Sequence, residues 1–171
     1  RPIVVIGGEE DRETSAQIVA GVDGLNLAGR TTLIGSAAVI EKAALLVSGD
    51  SGMLHVGIGL GKPTVSLFGS GIAAKWAPKG GAHVVINKQL ACSPCTIFGT
   101  TPPCPIQVKC LKDISADEVL SDLHAMKRDY GDRPHRQHSA GRTRPKNGPG
   151  QSRDQPVRRT AVPAVHSSVN E

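Results

Sequence analysis

The residues best suited to chemistry are concentrated in one stretch, Gly49-Asp50-Ser51-Gly52-Met53-Leu54-His55. It brings a carboxylate, a hydroxyl, a backbone position without a side chain and an imidazole into little more than one helical turn. Two chemistries use such a set. In one, Ser51 is a nucleophile activated by a base. In the other, the loop holds an anion. Gly52 lets backbone approach a ligand closely. The free amides of a first helical turn point outward with about half a positive charge of dipole behind them. Ser51 and His55 each add a donor. Asp50 is a poor neighbour for phosphate and is expected to accept backbone N–H bonds and hold the loop's shape.

A second set of reactive side chains lies further on. Cys92, Cys95, Cys104 and Cys110 read C-x2-C-x8-C-x5-C within a loop from Asn87 to Leu111, with prolines between them. Four thiols so spaced can ligate a structural zinc ion tetrahedrally. They can also form two disulfides in an oxidising compartment, or remain free thiols in a reducing one. None has a base nearby in sequence, so none is a catalytic candidate.

The elements that must position these residues alternate. "PIVVIGG" is a continuous β-branched run, as a buried parallel strand would be. "EEDRETSAQIVAGV" has acids in its first turn and Ala16, Val19 and Ala20 at helical spacing. "LNLAG" predicts a short strand. "TTLIGSAAVIEKAA" starts with an N-capping Thr and carries Leu33, Ala37, Ile40 and Ala44 on one face. "LLVSG" is a strand, and "GMLHVGIGLG" a short helix closed by Gly61 with Pro63 after it. "PTVSLFG" and "HVVIN" are strands, and Ser115 with Glu118 predicts a capping box for a last helix near 115–128. Regular strand–helix succession predicts an α/β fold, a Rossmann-like parallel sheet with helices on both faces. Ligands of such sheets bind beyond the carboxyl ends of the strands. Gly7-Gly8, Asp50 to Gly52 and Phe68 to Gly71 all fall there, so three glycine-containing loops are expected on one rim.

That frame decides between the two chemistries. The Gly-Asp-Ser-Gly serine of chymotrypsin-like proteases belongs to an all-β double barrel with a distant His and Asp. An α/β-hydrolase elbow needs G-x-S-x-G, and Gly49-Asp50-Ser51-Gly52 is one residue short. The hydrolase reading also needs an acid and then a histidine downstream, and His83, the histidine considered for it, sits at the start of a strand. The anion reading is therefore preferred, with a serine hydrolase using Ser51 as the lesser alternative. A histidine alone would be read as a helix residue without a ligand; in Asp-Ser-Gly-x-x-His at a strand–helix junction it is read as a ligand-binding group.

"NLAGRTTLIGSAAVIEKAALLVSGDSGMLHVGIGLGKPTVSLFG", together with "GGEED", "KWAP" and the spaced cysteines, resembles the carboxyl-terminal half of glycosyltransferase family 9, the ADP-heptose:lipopolysaccharide heptosyltransferases. The likeness runs from about Ile3 to Met126. It implies the carboxyl-terminal half of a GT-B fold, two Rossmann-like domains with the active site between them. Asp50, Ser51, Gly52 and His55 are then expected to hold the donor diphosphate, His55 as the catalytic group that stabilises the leaving charge. Glu10 or Asp11 would hold the ribose hydroxyls, although both could simply serve the start of a helix. Thr31 and Thr32 would lie near the base or phosphates, unless they only cap a helix. The resemblance implies a nucleotide-sugar donor, ADP-heptose first among them, a lipopolysaccharide or glycan acceptor, and a cytoplasmic location, peripheral at the inner membrane. It favours a structural role for the cysteines. It places the acceptor's base in an amino-terminal domain, and no paired acids for a catalytic metal occur, so no cofactor is expected for catalysis. One departure stands out: Gly69-Ser70-Gly71 replaces the family's Gly-Pro-Thr, so this loop is expected to bind phosphate less well or differently. A non-catalytic nucleotide-binding module is the other alternative.

Aromatics make up 2% of the chain, so any core must be built from Ala, Val, Ile and Leu. The net charge of +5 is unevenly placed. Residues 127–171 hold ten Lys+Arg and four Asp+Glu, whereas residues 1–126 are close to neutral. The tail is rich in Arg, Pro, Gly and Ser, which predicts disorder over 129–171 after a domain at 1–128. Its scattered basic residues without interleaved aromatics argue against nucleic acid. They leave an arm for anionic lipid as one reading and a solvated extension or reading-frame scar as the preferred one. No apolar run reaches the roughly 20 residues of a membrane-spanning helix, and neither a charged n-region nor a signal cleavage site is seen. The start at Arg1 is read as a piece of a longer chain.

Overall fold

The computed structural model describes residues 2–130. The strands are β1 (Ile3–Val5), β2 (Gly24–Asn26), β3 (Leu46–Gly49), β4 (Thr64–Phe68) and β5 (His83–Asn87). The α-helices are α1 (Arg12–Val19), α2 (Leu33–Lys42), α3 (Gly52–Gly59), α4 (Ala73–Trp76), α5 (Lys109–Lys112) and α6 (Ala116–Tyr130), with a 3-10 turn at Glu9–Asp11. All ladders are parallel, but they form two groups: β1 with β2, and β3–β4–β5. The alternation predicts one sheet; here no ladder joins β1 to β3 among the described residues. The loop that follows β1, Ile6 to Gly8, and Leu46 to Ser48 of β3 line a common cleft. Open α/β sheets bind ligands beyond the carboxyl ends of their strands, which is where this loop lies.

The core sits on β4, whose Thr64, Val65, Ser66 and Phe68 are fully buried. Successive side chains of a strand point to opposite faces. Val65 packs with Ile86 and with Met126 of α6, flanked by Leu67, Val84, Val119 and Leu123. Thr64, Ser66 and Phe68 turn to the other face, where α3 contacts β4 and buries Leu54. The polar pair on that strand is satisfied locally. Thr64 Oγ1 lies 2.9 Å from His83 Nδ1, and Ser66 Oγ donates to the Val84 carbonyl at 3.1 Å. Burial pushes the His83 imidazole below its ordinary pKa. Full burial of Phe68, Leu54, Ile40 and Val65 stabilises the fold by about 1.5–3 kcal/mol each.

Local signals fix the helix ends. Thr32 Oγ1 accepts the Gly35 N–H at 3.1 Å and caps α2. Ser115 Oγ accepts the Glu118 N–H at 3.1 Å. The Glu118 carboxylate meets Lys88 Nζ at 2.6 Å, so it ties α6 to the residue after β5 as well as ending the predicted capping pattern. Lys62 is buried, and its ammonium donates to the Ala43 carbonyl at the negative end of α2. Burial lowers its pKa, against the pull of nearby Glu41 and with the repulsion of Lys42.

Several expectations need correction. Ile3 and Val4 of β1 are 49% and 42% exposed, because strand side chains point to the two faces of the sheet and neither face is fully covered here. α1 buries Ser15 and half-buries Val19, whereas Ala16 and Ala20 face out. Leu33, expected on the inner face of α2, is exposed; Ile40, expected there too, is buried, and Ser36 is buried beside it. The last helix continues through Asp129 and Tyr130, two residues beyond the expected boundary at 128. The rest of the predicted tail, 131–171, lies outside the described residues.

Candidate functional site

Two clefts open at the carboxyl ends of the strands, one on each side of the Asp50–Ser51 turn. The smaller, about 410 Å³, lies between the loop after β1 and the strand β3; Gly7, Gly8, Asp11, Ser36, Ser48 and Ser51 are on its wall. The larger, about 960 Å³, lies toward β4; Asp50, Ser70, Gly71, Lys75, Trp76 and Phe98 are on its wall. The three predicted glycine loops do meet here, with the Asp50–Gly52 loop as the shared partition.

β3 ends at Gly49, and Ser51 takes the extended N-cap conformation, φ −145° and ψ 165°, so that α3 begins at Gly52. The Ser51 side chain does not cap that helix. Its Oγ pairs with Ser48 Oγ at 3.0 Å, and Ser48 Oγ also reaches the Gly49 carbonyl at 3.0 Å. The Ser51 side chain thus leaves the start of α3 uncapped, at a rim where Ser51 and Gly52 are exposed. A methyl group placed on Gly52 would meet no atom within 4 Å. Protein packing therefore does not require glycine there.

His55 occupies the first turn of α3 and is exposed. Its ring stands edge-on to Trp76, centroids 6.2 Å apart at 69°. Lys75 Nζ lies 4.7 Å from the Trp76 ring centre, a cation–π contact. The imidazole and the ammonium thus both contact the indole, and Lys75 and Trp76 line the larger cleft. The sequence reading passed over Lys75 and Ser48. The short α4 after the third glycine loop was the available signal for Lys75, and the strand position of Ser48 concealed it.

The acids take different places. Asp11 lines the smaller cleft, and its Oδ2 accepts the Gly8 N–H at 2.9 Å. It thus serves the loop and faces the cleft at once. Glu10 is exposed, with its carboxylate folded back over Gly8. Glu9 pairs with Arg12. Asp50 does not accept the loop amides assigned to it. It is exposed in the larger cleft, its carboxylate pressed against the backbone of Gly71. The reason is that β3 runs straight into the N-cap and turns the Asp50 side chain toward the β4 loop. Thr32 is the α2 cap. Thr31 Oγ1 bonds Ser36 Oγ at 2.8 Å, one residue behind the wall of the smaller cleft.

The Gly69-Ser70-Gly71 loop has a structural duty. The Ser70 carbonyl accepts the amides of Cys95 and Thr96, each at 3.0 Å, and Ser93 Oγ donates to the Gly69 carbonyl at 2.5 Å. The cysteine loop is therefore docked on the strand end. Cys110 is buried and Cys95 half-buried, while Cys92 and Cys104 are exposed; all four are free thiols. Burial raises the Cys110 pKa, and the thiols of Cys104, Cys95 and Cys92 add to the effect.

Residues 2–102 match the profile of glycosyltransferase family 9 (heptosyltransferase). Curated relatives include lipopolysaccharide heptosyltransferase 1 of Pseudomonas aeruginosa, 30% identical over 52% of this chain and 25% of the relative. Lipopolysaccharide heptosyltransferase 2 of Salmonella typhimurium is 33% identical over 39% of this chain and 21% of the relative. Among solved structures, E. coli ADP-heptose lps heptosyltransferase II superposes with a TM-score of 0.59 at 27% identity, covering 75% of this chain and 37% of that one. The family 9 glycosyl transferase of Veillonella parvula gives the same TM-score at 23% identity and supports the fold alone. The match thus spans about a quarter of the curated relatives and over a third of the solved chains. On the profile match across more than half its length, with the parallel α/β architecture around the Asp50–His55 turn, the chain belongs to glycosyltransferase family 9.

Proposed function

We propose that this domain binds the nucleotide-sugar donor of a heptosyltransferase, with ADP-heptose the preferred donor and a lipopolysaccharide core or related glycan the acceptor. The observation that carries the reading is the start of α3 at Gly52, which the Ser51 side chain leaves uncapped, between two clefts at the carboxyl ends of the strands. The diphosphate sits at that helix start and takes hydrogen bonds from first-turn amides, from Ser51 Oγ and from His55. The nucleoside lies in the smaller cleft, with Asp11 offered to the ribose hydroxyls and Glu10 next to it in the chain. The sugar extends toward Trp76 and Lys75.

Transfer breaks the bond between the anomeric carbon and the diphosphate oxygen. Negative charge grows on that oxygen as the bond lengthens. Oriented amides, the imidazole of His55 and the ammonium of Lys75 stabilise it more in the transition state than in the bound donor. The acceptor hydroxyl needs a base, and the family resemblance assigns that base to an amino-terminal domain. Among the described residues no helix is long and apolar enough to cross a membrane. Action at the cytoplasmic face of the inner membrane, as a peripheral protein, belongs to the same proposal.

Calorimetry with ADP, ADP-heptose and a UDP-sugar tests the reading. ADP compounds should bind, and Ser51→Ala should weaken them by about 0.5–1.5 kcal/mol, one hydrogen bond's worth. Absence of ADP binding to the intact chain would remove the proposal. The hydrolase alternative needs a base on Ser51, whose hydroxyl is instead paired with Ser48; loss of ester hydrolysis in Ser51→Ala would revive it.

A further inference from the structure

We propose that Cys92, Cys95, Cys104 and Cys110 close on one soft divalent cation, zinc by preference, and that this metal fixes the outer wall of the larger cleft. Residues 88–108 run from β5 to α5, and the Ile97–Thr100 pairing is their one strand-like contact. Connections longer than roughly 12–15 residues without secondary structure are uncommon in a compact domain unless something else holds them. Here the anchors lie at or beside the cysteines. The Cys95 amide is bound to the Ser70 carbonyl, and Ser93 Oγ to that of Gly69. The Cys110 sulfur packs on Gly69 from the other side, 3.1 Å from where that residue would carry a methyl. Two of the four cysteines, far apart in the loop, thus rest on the same two residues. Cys104 Sγ accepts the Val108 N–H at 3.1 Å, the kind of bond that supports a metal-bound thiolate. That bond closes the turn leading into α5 and Cys110. Gln107 and Val108 hold φ of 52° and 55° in this turn. Such values are unfavourable for a β-branched residue and persist only where the surroundings over-determine them.

The sulfurs are not drawn to a common centre: among the described residues, no three His, Cys, Asp or Glu side chains stand at ligating distance. Closure requires movement of Cys92 and Cys104, which are exposed and lie outside every ladder. Four thiolates are the ligand set of a closed tetrahedral zinc site with Zn–S of about 2.3 Å. Each ion bound displaces the four thiol protons, so the site carries two negative charges and loads less well as pH falls.

The test uses the full chain, purified under reducing conditions without chelator and then exposed to zinc alone or cobalt(II) alone. Expected are one zinc per chain by elemental analysis, a thiolate-to-cobalt charge-transfer band, and loss of both in Cys92→Ser and in Cys104→Ser. Because those two side chains are exposed, the variants should keep wild-type circular dichroism even if Cys110→Ser fails to fold. A chelator should speed proteolytic cleavage within 96–101. The proposal is overturned by intramolecular disulfides in the alkylated, non-reduced chain, by four freely alkylated thiols after zinc loading, or by full zinc content in the serine variants.

Discussion

Gly52→Ala separates the needs of the ligand from those of the fold. The added methyl meets no protein atom within 4 Å, and the position has ordinary backbone angles. Alanine is the better helix former by up to about 1 kcal/mol, less at a first helical position, so thermal stability should be unchanged or slightly raised. The ligand should respond differently. If a diphosphate rests on the first-turn amides, a methyl group at Gly52 lies in its path. Loss or lengthening of one charge-assisted amide bond costs about 1.5–3 kcal/mol, roughly a 10- to 150-fold weaker Kd for ADP. Calorimetry with ADP, alongside thermal unfolding, reads both quantities. Gly61→Ala is the control. Gly61 closes α3 at φ +68°, with open space around it. Alanine there should cost about 1–2 kcal/mol of stability and leave ADP binding alone. An unaltered Kd in Gly52→Ala would refute the placement of phosphate at this helix start.

Leu54→Ala should destabilise by about 2.7–5 kcal/mol, since it empties a fully buried site between α3 and the sheet; chemical denaturation checks it. Stability should also fall on acidification. The folded state depresses the His83 pKa, so below the unfolded value of about 6.5 the unfolded chain binds the proton first. The contribution is complete above that pH and is lost as pH falls through the folded value. In His83→Gln the corresponding slope in a pH series of melting curves should disappear. Lys88→Met should cost about 1–3 kcal/mol by leaving Glu118, only 19% exposed, without its cation; a double-mutant cycle with Glu118→Gln should recover part of the loss.

Where the sequence spoke through hydrogen-bond chemistry, it was legible. The strands of "LLVSG", "PTVSLFG" and "HVVIN" stand within a residue of expectation, because each is a short apolar run broken off by polar residues, Gly or Pro. The Thr32 cap and the Ser115 half of its capping pair also follow from local donors and acceptors. Burial was less legible. β1 reads as an inner strand by composition, yet its exposure depends on what lies against it, which no local pattern encodes. Leu33 and Ala16 sit at helical spacing but on faces the sheet does not reach. At the site, the Ser51–His55 turn was visible from its residue types. The swing of Asp50 toward Gly71 was not, since a loop carboxylate's direction is set by the neighbouring strand end. Lys75 and Trp76 join His55 only through tertiary packing.

The Ser70 carbonyl also governs how the larger cleft can vary. By gripping the amides of Cys95 and Thr96, while the neighbouring Gly69 carbonyl holds Ser93 Oγ, it makes the segment carrying Ile97 and Phe98 a removable jaw, clamped to the sheet at two adjacent backbone oxygens. A jaw held in this way can be lengthened, shortened or re-lettered without disturbing β4. Acceptance of bulkier or slimmer guests should therefore be adjustable by editing residues 96–101, while the helix tip opposite stays as it is.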